Sequence, residues 1–100
     1  MVDEEFYSDC RDMVKTKVGY AMFKIADKYY KSDITDVHVS NGDVVVDITF
    51  DPPMQGNVKI TEVQLYKRDG RRWLSTPENI TRRSNQEGVF YRFVFRFKDS

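Results

Sequence analysis

The hydrophobic pattern divides this chain by period. From Asp3 to about Lys31 no proline occurs, and Tyr7, Cys10, Val14, Val18, Ala21, Met22, Ile25 and Tyr29 recur at helical spacing on one stripe. The spacing predicts one long helix over about 3–31. Asp3 suits its cap, Glu4 and Glu5 its first turn, and Lys28 and Lys31 its end. Gly19 costs about 1 kcal/mol inside a helix relative to alanine, so it marks a kink or a close approach. A second strip, Gly19, Phe23, Ala26 and Tyr30, lies away from the first at spacings of four, three and four residues. Two aromatics, Phe23 and Tyr30, with the small Gly19 and Ala26 on a face expected to be polar make that strip a candidate contact for a protein partner or a second copy.

After Ser32 the period becomes two. In "VHVSNGDVVVDITF", Asn41-Gly42 accepts the positive backbone angles of a type I′ turn. A two-residue loop sets Val39 opposite Val44 and Val37 opposite Val46, on one apolar face with Ile48 and Phe50. Pro52 and Pro53 then end the ladder. A strand is expected from about Asn57 to Lys67. Its apolar residues change face between Ile60 and Val63, which predicts a bulge near Thr61-Glu62. Asp69-Gly70 makes the next turn into "RRWLS". Thr76-Pro77 reads as the start of one short helical turn, with loop after it. In the closing "VFYRFVFRFK", Val89, Tyr91, Phe93, Phe95 and Phe97 share one face. Phe90, Arg92, Val94, Arg96 and Lys98 share the other. The first set reads as core, because five large apolar residues contribute about 1.5–3 kcal/mol each when buried.

These elements make one α+β domain over 1–100. One long N-terminal helix packs on a curved antiparallel sheet of four to five strands spanning about 34–98. The composition, 40% hydrophobic and 14% aromatic, fits a packed core rather than disorder. Net charge is zero, but residues 1–50 carry 6 Lys/Arg against 10 Asp/Glu and residues 51–100 carry 10 against 6. A basic second half, with Arg71, Arg72, Arg82 and Arg83 flanking "WLSTPENIT" near Trp73, is a candidate polyanion site if that segment folds back. One cysteine and one histidine leave no internal disulfide and none of the common zinc patterns. No apolar run approaches the length of a membrane helix, and the acidic start does not resemble a signal peptide, so a cytoplasmic location without membrane contact is expected.

The hairpin register also sets Asp36 opposite Asp47 and Ser40 opposite Asp43, with His38 diagonal to Asp43 and Asp47. Paired carboxylates beside a histidine can bind a divalent cation or move protons. An open sheet lacks the concavity that such chemistry uses, and Arg92 and Arg96 are placed to balance the acids. The expectation is a solvated face with no metal and no cofactor. No GxSxG, glycine-rich phosphate loop or HExxH occurs. The alternation near the end departs from the RNA-recognition motif, which needs an aromatic where Arg96 stands.

The stretches "ITDVHVSNGDVVVDITF" and "EVQLYKRDGRRWLS", over about 30–75, resemble strands of the cystatin-like and nuclear-transport-factor-like families. The resemblance implies a curved sheet around a helix and no activity. "DPPMQGNV" does not supply the cystatin inhibitory loop, and no functional residue carries over. The functional expectation is a small non-catalytic accessory or interaction protein, of phage type. The alternative is a nucleic-acid binder using the basic half, and the third is a ligand-pocket protein or enzyme.

Overall fold

The computed structural model describes residues 2–84 and 88–97. The fold is α+β: one N-terminal helix packs on antiparallel sheets. Helix α1 runs Glu4–Lys17, followed by strands β1 (Val18–Ile25), β2 (Lys28–Asp33), β3 (Asp36–Ser40), β4 (Asp43–Phe50), β5 (Val58–Lys67), β6 (Arg72–Arg82) and β7 (Val89–Arg96). The sheets have four strands, in the order β2-β1-β5-β6, and three, in the order β3-β4-β7.

The helix is half as long as the 3–31 stripe suggested. Asp3 sits at its cap position, Glu4 and Glu5 in its first turn, and Lys15 and Lys17 in its last. It stops at Val18, whose backbone is already extended. Residues 18–33 form the β1–β2 hairpin instead, closed by Ala26-Asp27 with Ile25 opposite Lys28. Ala21 and Ile25, four residues apart, satisfy both periods, and burial of Ala21 and Phe23 on one strand face decides for the strand.

One four- to five-stranded sheet is likewise corrected to two. Ala21, Phe23, Ile60, Val63 and Leu65 from the larger sheet meet Val44, Val46, Ile48, Phe50 and Phe93 from the smaller in one core. Phe23 stacks on Phe50 at 4.3 Å between ring centres and meets Tyr91 edge-on at 6.1 Å. The bulge at Thr61 is present. Lys24 pairs with Glu62 while the next residue, Ile25, pairs with Ile60, so the extra residue turns both Ile60 and Val63 inward. At the same level β6 holds an extra residue against β5. The expected helical turn at Pro77 is replaced by strand, since β6 is an edge and proline's missing donor is tolerated there. Residues 76–82 therefore extend the larger sheet.

The helix is fixed by Val14 and Val18 in the core and by Arg11. Arg11 donates to the Gly42 carbonyl at 3.2 Å and the Phe97 carbonyl at 3.0 Å, and pairs with Glu4. At the far end, Arg82 donates to the carbonyls of Met54 and Gly56 at 2.8 and 3.0 Å, which holds the Pro52-Pro53 loop between the sheets.

Candidate functional site

The three-stranded sheet turns its outer face to solvent, and its register arranges that face in rows. The Asn41-Gly42 turn has positive φ at both residues, 52° and 83°, which fixes Asp36 opposite Asp47 and His38 opposite Val45. Strand β7 then sets Arg92 beside Asp47, Val94 beside Val45, Phe90 beside Thr49 and Arg96 beside Asp43. Arg92 donates to both Asp47 oxygens, at 2.7 and 3.3 Å. That hydrogen bond is the main reason the Asp47 carboxyl is held below its ordinary range, against the opposing effect of burial. The same contact raises Arg92. His38 Nδ1 lies 2.7 Å from Asp36 Oδ2 and 4.0 Å from Asp47 Oδ2.

Donor atoms of Asp36, His38 and Asp47 all lie within 4.8 Å of one another, close enough to hold a divalent cation. Both Asp47 oxygens are already engaged by Arg92, and Asp36 by His38. A cation would have to displace a fork-shaped, charge-assisted pair from an open surface. The row works as an ion-pair strap across β3, β4 and β7.

The four sheet edges differ in how they meet solvent. Strand β3 is five residues long and carries Asp36 and His38. Strand β2 carries Lys28 and Lys31, and β6 carries Pro77 and two register irregularities. Short, charged, bulged or proline-bearing edges resist pairing with another chain. Strand β7 has none of these blunting features except arginines. Its eight residues pair with β4 without a break, and it has no other strand neighbour among the described residues. Its outer face exposes Phe90 at 61% and Val94 at 47%. Arg92, the charge at its centre, is drawn back over the sheet by Asp47. The sequence places Phe90 and Val94 on the outer face but gives no sign that β7 is an edge.

The strip Gly19, Phe23, Ala26 and Tyr30 is not a helix surface. Gly19 and Phe23 lie in β1, Ala26 in the turn and Tyr30 in β2, and Phe23 is 0% exposed. The two arginine pairs do not cluster. Arg71 and Arg72 stand at one end of β6 and Arg82 and Arg83 at the other, a strand length of about 33 Å apart. Arg82 is only 6% exposed and is spent on the loop carbonyls. Cys10 is half-buried on the helix.

A network missed by the sequence covers the outer face of the larger sheet. Glu62 accepts from Tyr29 at 2.8 Å, Gln64 at 2.6 Å and Ser75, and Tyr66 donates to Gln64 at 2.7 Å. These donors hold the Glu62 carboxyl below its usual range, Ser75 foremost. Tyr20 stacks on Tyr66 at 5.0 Å and has Lys31 over its ring at 4.4 Å. An open surface hollow of about 670 Å³ lies along the 51–56 loop, with Arg82 and Ser84 at its side.

No helix among the described residues is long and apolar enough to cross a membrane. No protein-family model, curated protein or solved structure matches the chain.

Proposed function

We propose that this protein is a small non-catalytic interaction domain that docks a protein partner by strand addition to β7. The observation that carries this reading is the unbroken eight-residue edge with Phe90 and Val94 exposed beside it. A partner strand there would complete main-chain hydrogen bonds, and its alternate side chains would lie against Phe90 and Val94. The test is capture of binding proteins on the immobilised protein, after nuclease treatment, with the parent and with Val94→Lys. Val94 is half exposed, so the substitution leaves the fold intact while charging the edge. The reading expects a partner held by the parent and lost with the variant. Capture indifferent to Val94→Lys, or dependent on nucleic acid, overturns it.

A further inference from the structure

We infer that the strand added to β7 is β7 of a second copy, running antiparallel, so that two three-stranded sheets become one of six. This rests on the strand-addition reading and names its partner. Register decides which pairings are open to β7. In an antiparallel pair, residues directly opposite share a face. A shift by one residue would set the apolar inner face of β7 against the outer face of the other copy, which restricts pairing to alternate registers. If Phe90 faces Val94 of the second copy, Arg92 faces its own counterpart. If Val94 faces its own counterpart, Arg92 faces Arg96. Both registers oppose like charges.

The register between them does not. With Phe93 opposite its own counterpart, Phe90 meets Arg96, Arg92 meets Val94, and on the inner side Tyr91 meets Phe95 and Val89 meets Phe97. The inner row is apolar throughout, continuing the core that Val89 and Phe93 already enter. The outer row sets Arg96 of the second copy opposite Phe90, whose ring already has Arg92 of its own copy 5.6 Å from its centre. Its central arginine stays neutralised by Asp47 of its own copy. The symmetry is two-fold and closes, so the product is a dimer and not a filament. Strand β6 does not compete, since Pro77 interrupts the edge of the larger sheet.

Sedimentation velocity over a series from micromolar to millimolar protein tests the association. Disulfide trapping, in a Cys10→Ser background, tests the register. The expected result is a reversible monomer–dimer equilibrium that Val94→Lys weakens about tenfold or more. Mild oxidation of the double variant Phe90→Cys/Arg96→Cys should give a covalent dimer. Positions this far apart on one strand cannot bridge internally. The Phe90→Cys/Val94→Cys variant should not cross-link. Cross-linking by the second variant and not the first overturns the register. A parent that stays monomeric throughout overturns self-pairing, while capture of another protein lost with Val94→Lys would leave the interaction reading standing.

Discussion

Phe23 is the residue on which the reading of the first third of the chain turns. On a long helix it would belong to an outward strip, and Phe23→Ala would leave stability unchanged. In β1 it is fully buried, stacked on Phe50 and edge-on to Tyr91. Truncating a buried phenylalanine to alanine costs about 3–5 kcal/mol, the ring contacts included. Domains of this size hold about 5–15 kcal/mol in total, so the variant stays folded only with reduced margin. In urea, a loss of about 4 kcal/mol at a slope of about 2 kcal/mol per molar lowers the midpoint by about 2 M. Equilibrium unfolding followed by far-ultraviolet circular dichroism measures that shift. Phe50→Ala should be similarly costly, and the double variant less costly than the sum, because the second truncation removes a ring whose partner is gone. A Phe23→Ala midpoint equal to the parent's would remove Phe23 from the core and β1 from its place between β2 and β5.

Gly19→Ala should destabilise by about 1–3 kcal/mol in the same assay. A Cβ there would lie 2.7–2.8 Å from backbone atoms of Lys67 and Arg68, which cannot swing aside. Ala26→Gly should stabilise by about 0.5–1 kcal/mol. It relieves a left-handed alanine at φ 56°, worth about 1–2 kcal/mol, against a smaller entropic cost in the unfolded chain. Asp47→Asn should remove a part of the acid sensitivity. The folded carboxyl lies below its unfolded value near 3.8, so its contribution is complete above that pH and lost as pH falls through the lower folded value. Parent and variant unfolding curves should converge at the acid end, and a constant gap between them down to pH 2 (about two units below the unfolded carboxyl) would refute the assignment.

Much of the second sheet was legible because its signals are local. Asn41-Gly42 is one of few dipeptides that accept two positive φ angles, and it fixes the register of β3 and β4 residue by residue. The change of apolar face at Thr61 has one cheap explanation, and the bulge is there. The β1–β2 hairpin was not legible because its turn is Ala26-Asp27, which carries no glycine or asparagine to announce it. The earlier cue was Gly19, two residues beyond the lysine that ends α1, where a glycine marks a helix end as readily as a close approach. Both meanings hold here: the helix has ended, and the strand passes against the Lys67–Arg68 backbone. Pro77 misled for the opposite reason. A proline excludes a central strand only, and which strands are edges depends on contacts far apart in sequence.

The same dependence hides the candidate site. An arginine in the middle of an edge strand ordinarily guards it, since pairing would bury or oppose its charge. In β7 that guard is disarmed from within the sheet. Asp47 stands opposite an aspartate on one side, where repulsion would make it costly, and takes Arg92 on the other. The bidentate contact neutralises both charges and holds the guanidinium to β4, while Phe90 and Val94 stay exposed beside the edge. The acidic pair of the hairpin and the open edge are thus one feature rather than two. Asp47→Asn returns an unpaired charge to the centre of β7 without touching its backbone, so it should weaken strand addition as Val94→Lys does while sparing the core.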